Sequence, residues 1–184
     1  ADFRSTMKAL NLSYLDLYLI HAPWPWGERG STNYDEANVE VWKAMQDIYA
    51  SGDVKAIGVS NFNVHDLQNI LDHADVKPMV VQIRYFVGYT EPQTTQFAKD
   101  NDILVEAYSP LATGGILENQ DIKQIAKKYG VSVAQLALKF VLQNDVLPLP
   151  KATHETHIKN NTELDFEVSS ADMKVLNSLT STDI

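Results

Sequence analysis

The chain has 184 residues, of which 45% are hydrophobic and 9% aromatic, which is enough apolar material for a packed core and rules out a disordered chain. Its formal net charge of −9 argues against nucleic acid or an anionic membrane as a general partner, and the absence of cysteine excludes disulfides, thiolate metal sites and cysteine nucleophiles. No apolar run approaches the roughly 18 residues that span a bilayer, and residues 1–10 have no secretion-signal core, so a soluble cytoplasmic protein is expected.

After a scrap of helix from Arg4 to Leu10, short apolar runs alternate with helical segments. Leu15–Ile20 is the first strand-length run, and Pro23 to Glu36, rich in Pro, Gly and Trp, is the longest loop. Trp42, Met45, Ile48 and Tyr49 keep helical spacing, and Gly52 supplies the stop. Ala56–Val59 is the second strand. Asn63 then caps a helix bearing Val64, Leu67, Ile70, Leu71 and Ala74, with Asp66 in its first turn. Met79–Ile83 is the third strand, Pro92 opens a helix to about Asn101, and Ile103–Ala107 is the fourth strand. Ile122, Ile125, Ala126 and Tyr129 form a stripe closed by Gly130. Ser132 and Gln135 make a capping box before Val133, Leu136, Ala137, Phe140 and Val141. Val146–Leu149 is the last strand, followed by a short helix after Thr153 and another from about Ser169, with Met173, Leu176 and Leu179 facing inward.

Strand-length runs without polar alternation suggest strands buried on both faces, and their regular alternation with helices means an α/β fold with a parallel sheet and right-handed crossovers. A doubly wound nucleotide fold would show a glycine-rich turn after its first strand, but here Ile20 is followed by His-Ala-Pro-Trp-Pro-Trp. A barrel fits better, because its functional residues cluster past the C-terminal ends of the strands. His21, Ser60-Asn61, Gln82, Tyr108-Ser109 and Lys151 occupy five such ends. A complete eight-unit barrel takes roughly 250 residues. The expectation is therefore a partial (β/α)8 barrel: residues 1–184 as a single domain, about five βα units plus extra C-terminal helices, with N-terminal strands missing.

At these strand ends the sequence resembles the aldo-keto reductase family. Tyr14-Leu15-Asp16-Leu17-Tyr18-Leu19-Ile20-His21 is similar to that family's fourth barrel strand, and Gly58-Val59-Ser60-Asn61-Phe62 to its fifth. Gln82 within Val80-Val81-Gln82-Ile83 sits as in the sixth strand. Glu106-Ala107-Tyr108-Ser109-Pro110-Leu111 resembles the seventh, and Leu149-Pro150-Lys151-Ala152-Thr153 the eighth. Each motif is weak alone; five in order, across the whole chain, are specific.

The resemblance implies roles for these residues. His21 would hydrogen-bond and orient a substrate carbonyl oxygen, which suits an imidazole near neutral pH. Ser60, Asn61 and Gln82 would hold a nicotinamide carboxamide, which needs both donors and acceptors. Tyr108 would stack on the nicotinamide ring, Ser109, Pro110 and Leu111 would line the pyrophosphate, and Thr113-Gly114-Gly115 either continues that loop or is an ordinary turn. Lys151, with Thr153 and His157, would meet the 2′-phosphate of NADPH, and Asn161 the adenine. The family often has arginine where His157 stands and serine where Ala152 stands, so NADH is a further candidate coenzyme. Trp24 and Trp26 are either an apolar wall for the substrate or packing plugs, and His65, His73 and His154 read as surface residues.

The family's proton-donating tyrosine, its aspartate and the lysine that tunes it belong to strands expected before Ala1, and none of the eight tyrosines here matches that motif. The leading expectation is an NAD(P)H-dependent reductase of aldehydes or ketones. The alternative is an inactive fragment that binds coenzyme or assembles with another chain. Open sheet edges predict self-association, with no nucleic-acid or membrane partner.

Overall fold

The computed structural model describes residues 3–25, 27–30 and 32–183. The chain divides into two compact units, Ala1–Gln82 with Phe97–Ile103, and Ile83–Gln96 with Leu104–Ile184. The elements are α1 (Phe3–Leu10), β1 (Tyr18–Ile20), α2 (Asp35–Ser51), β2 (Ile57–Ser60), α3 (Val64–His73), β3 (Val80–Arg84), α4 (Pro92–Asp100) and β4 (Leu104–Tyr108). A 3-10 helix (Ala112–Glu118), α5 (Gln120–Tyr129), α6 (Val133–Gln143), β5 (Leu147–Leu149), α7 (Glu155–Thr162) and α8 (Ser170–Ser178) follow. Sheet order equals chain order, β1-β2-β3-β4-β5, with β3 contributing residues to both units. The parallel α/β class expected from the alternation is the class observed.

In the first unit, β2 is buried along its whole length, with Ile57 and Val59 at its centre. Gly58 lies between them because a Cβ there would stand 2.8 Å from Leu19 Cδ2 and press on the Val80 backbone. The register Ile20↔Val59 and Ser60↔Gln82 brings the ends of β1 and β2 level with Gln82, the middle residue of β3. Trp42 and Met45 of α2 and Leu67 and Ile70 of α3 cover the strands, and the Trp42 indole donates to the Val76 carbonyl at 2.9 Å. Gly52 ends α2 in the left-handed region (φ 85°), and Asn63 with Asp66 closes a reciprocal capping box on α3.

In the second unit, β4 and β5 pair with Tyr108 opposite Leu149. Phe140, Leu136 and Leu138 of α6 and Ile122 of α5 fill the interior. The capping box Ser132/Gln135 and the left-handed Gly130 form as the sequence predicts. Three expectations change. β1 is only half-buried, and Leu147 and Leu149 of β5 are 42% and 41% exposed, so neither strand is covered on both faces. Both stand at the ends of the strand order among the described residues. The first apolar run is a strand only from Tyr18; Leu15 makes an isolated bridge to Val54. The stretch around Thr113-Gly114-Gly115 is not a plain loop but lies in the 3-10 helix, kinked where Thr113 and Gly114 take φ of 55° and 100°.

A polar knot joins α5 to α8. The Tyr129 hydroxyl donates to Asp172 Oδ2 at 2.6 Å, Lys128 Nζ reaches Asp172 Oδ1 at 2.7 Å, and Ser169 caps α8. The Lys128 hydrogen bond, then that of Tyr129, holds the Asp172 carboxyl below its ordinary value. A carboxyl depressed in the folded state stabilises the fold above its unfolded pKa of about 3.9, and that contribution is lost as pH falls through the folded value. Asp172→Asn is therefore expected to lower stability by a constant amount above about pH 4, with the difference from wild type closing under more acid conditions. Urea denaturation from pH 3 to 8 measures this, and a gap that stays constant down to pH 3 refutes it.

Candidate active site

In the first unit the residues at the ends of β1 and β2, with Gln82 in the middle of β3 and not at its end as the sequence suggests, form one hydrogen-bonded chain. Ser60, 3% exposed, donates from Oγ to the Gln82 carbonyl at 2.9 Å, and the Asn61 N–H donates to the same carbonyl at 2.9 Å. Asn61 Nδ2 then reaches the His21 carbonyl at 2.9 Å and Ser60 Oγ at 3.2 Å. These bonds require Asn61 to sit at φ 61°, in the left-handed region, which asparagine tolerates better than most residues. The structure thus brings His21, Ser60, Asn61 and Gln82 together at one level of the sheet. The Asn61 amide stands 3.2 Å from the buried Ser60 hydroxyl, and the two groups together supply both donors and acceptors, a set that suits a carboxamide ligand.

Trp24 lies elsewhere. Its ring stacks under the Arg29 guanidinium at 5.4 Å and lines a cavity of about 450 Å³ with Arg29, Asn38, Asn63, His65 and Asp66. His21 is not among that cavity's lining residues. His65, exposed as the sequence suggests, bonds the Asp35 carboxylate at 3.0 Å. Burial raises the Asp66 carboxyl above its ordinary value, against the lowering effect of its backbone bond to Asn63. Trp26 lies outside the described residues.

In the second unit Tyr108 ends β4, half-buried, and Ser109 follows at φ 51°. The Ala112 N–H returns to the Ser109 carbonyl at 2.8 Å, which curls Ser109, Pro110 and Leu111 into a tight turn. Lys151 and Thr153 are exposed just past β5, and the Tyr108↔Leu149 register places Lys151 two residues beyond the level of Tyr108. The exposed His157 ring meets His154 edge-on at 5.5 Å in the first turn of α7, and Asn161 lies half-buried near that helix's end. Lys151, Thr153, His157 and Asn161 are thus neighbours along the chain, whereas the first unit's set is tied by hydrogen bonds.

Tyr85 is a residue that the sequence pattern does not mark. Its N–H donates to the Tyr108 carbonyl at 3.4 Å. Only its place just past a strand could have drawn notice to it. Burial pushes its hydroxyl up to about 12, which makes it a poor source of protons near neutrality.

The fold and its strand ends match one family. The model of the aldo/keto reductase family matches residues 1–181, and the chain belongs to that family. It is 40% identical over 180 residues to a glyoxal reductase of Bacillus subtilis, covering 97% of this chain and 62% of that protein. It is 39% identical over 164 residues to an NADPH-dependent alpha-keto amide reductase of Saccharomyces cerevisiae, covering 84% of this chain and 51% of that protein. Among solved structures, an aldo-keto reductase from a Medee basin deep-sea metagenome library superposes with a TM-score of 0.88 at 34% identity, over 99% of this chain and 65% of that one. The chain therefore spans about three fifths of the length of such relatives. Their fold is the (β/α)8 barrel, of which this chain carries five parallel strands.

Proposed function

We propose that this chain is the coenzyme-binding and carbonyl-orienting part of an NADPH-dependent aldehyde or ketone reductase. The carrying observation is the hydrogen-bonded chain that joins Asn61 and Ser60 to the His21 and Gln82 carbonyls at one level of the sheet. When bound, NADPH supplies the hydride. Asn61, Gln82 and Ser60 hold the carboxamide, which fixes the ring and thereby the face it presents. Tyr108 would hold that ring by stacking, and Ser109, Pro110 and Leu111 would hold the pyrophosphate. Lys151, Thr153 and His157 meet the 2′-phosphate, and Asn161 meets the adenine. His21 donates a hydrogen bond to the substrate oxygen and orients the carbonyl carbon. NADPH is preferred because a lysine ammonium at the phosphate gains a charge-assisted bond that NADH does not offer.

The relatives named above support carbonyl reduction, since one is a glyoxal reductase and another an NADPH-dependent alpha-keto amide reductase. A second reading has its own support. None of the eight tyrosines matches the family's proton-donor motif, so these 184 residues alone would bind coenzyme without turning over substrate. Exposed Leu147 and Leu149 on β5 favour pairing of that strand with a further chain segment or a second copy. A cytoplasmic setting fits the cysteine-free composition, and no described helix is long and apolar enough to cross a membrane.

Asn61→Gly keeps the left-handed backbone and removes the amide. It is expected to weaken NADPH and NADH alike, by about fivefold, the worth of one neutral hydrogen bond. Fluorescence titration with both coenzymes checks it. A loss confined to one coenzyme, or none, contradicts the carboxamide assignment.

A further inference from the structure

Within the second unit the segment after α8 lies against two turns that are remote from it in sequence. Thr182 is 2% exposed, and its hydroxyl donates to the Val87 carbonyl. Gly88, at φ 101°, makes the room for it: a Cβ at that position would collide with the Thr182 side chain. Gly115 does the same for the next residue, since a Cβ there would stand 3.2 Å from Asp183 Cα. The Asp183 carboxylate accepts from Arg84 Nη2 at 3.0 Å. That guanidinium lies over the rings of Phe86 and Tyr89, at 4.9 and 5.5 Å, and the two rings stack at 5.7 Å. Reciprocal backbone bonds of 2.9 Å between Phe86 and Tyr89 close the turn. Tyr85, inside the same segment, donates its N–H to the Tyr108 carbonyl.

We infer that Thr182 and Asp183 form a strap that positions Tyr108 for the coenzyme by holding the segment Arg84–Gly88 in place. The inference rests on reading Tyr108 as the residue that stacks on the nicotinamide. Two routes connect the strap to it. One runs from Asp183 through Arg84 to the Tyr85 N–H; the other runs from Asp183 through Gly115 to the turn that begins at Ser109. The ion pair is partly exposed and by itself weak. The buried Thr182 hydroxyl and the lack of space at Gly88 supply the specificity, because together they admit one placement of the strap. A chain segment near the end of a helix frays unless it is tied down, so losing both anchors frees the turn that braces Tyr108. Thr182, Asp183 and Arg84 are positioning residues and touch no reacting group.

The test is the double variant Thr182→Val/Asp183→Asn of the purified protein, titrated with NADPH and with 2′,5′-ADP, which has the 2′-phosphate end and no nicotinamide. The strap predicts that NADPH weakens by about fivefold or more while 2′,5′-ADP stays within about twofold. Asp183→Glu, which keeps the pair with Arg84, stays near wild type for both. Equal weakening of the two ligands, or no change in either, overturns the strap and leaves the coenzyme reading standing. A wild type that binds neither ligand refutes the coenzyme reading, and the positioning role with it. Hydrogen exchange of residues 108–112 reads the tie without any ligand. Faster exchange in the double variant supports it; identical exchange overturns it.

Discussion

Lys151→Met is expected to weaken NADPH by about 10- to 30-fold and to leave NADH within about twofold. A hydrogen bond to a charged group contributes about 1.5–3 kcal/mol, and because Lys151 is exposed, its contribution falls in the lower part of that range. The change removes one positive charge from a protein of net charge −9, whose overall field repels a polyanionic coenzyme. Local positive charge at the phosphate therefore decides coenzyme choice more than it would in a neutral protein. His157→Arg should act in the opposite direction, by adding a permanently charged planar donor where an imidazole now stands. The selectivity ratio, measured by fluorescence titration at fixed ionic strength, is the readout. An unchanged ratio in Lys151→Met would place the 2′-phosphate elsewhere.

The second large effect concerns turnover. Purified by themselves, these 184 residues are expected to oxidise NADPH in the presence of aldehydes at no more than the background rate. A positioned general acid contributes typically 10²–10⁴-fold, and the proposed reading places none among these residues. Tyr85 cannot substitute, since its buried hydroxyl is a weaker acid than an ordinary tyrosine. On the proposed reading His21 would still orient a carbonyl oxygen, so substrate binding without turnover is the specific pattern anticipated. Robust NADPH oxidation across an aldehyde panel would contradict it, and would assign proton donation to His21 or another residue of this chain.

Much of the first unit is legible in the amino-acid sequence. Strand-end residues can be picked out where polarity stops an apolar run, as Ser60 and Asn61 do at the end of β2, whereas Gln82 stands level with Ser60 but in the middle of β3, which runs on to Arg84. Helix ends at Gly52, Asn63, Gly130 and Ser132 are equally plain because capping is a local contest among a few backbone groups. Features that depend on distant partners are not legible in this way. The exposure of Leu147 and Leu149 follows from how many strands flank β5, which no local pattern encodes. The 3-10 helix at Ala112–Glu118 is hidden because Thr113 and Gly114 interrupt helical spacing with positive φ. Tyr85 and Asp183 act across long sequence separations, through an N–H and a carboxylate that look ordinary in the sequence.

The central claim is that the polar strand ends bind a nicotinamide coenzyme. Equilibrium titration of the unmodified protein with NADPH tests it most directly, following fluorescence, with NADH run in parallel. The claim predicts saturable one-to-one binding with NADPH the tighter ligand. Absence of saturable binding by either coenzyme would contradict it.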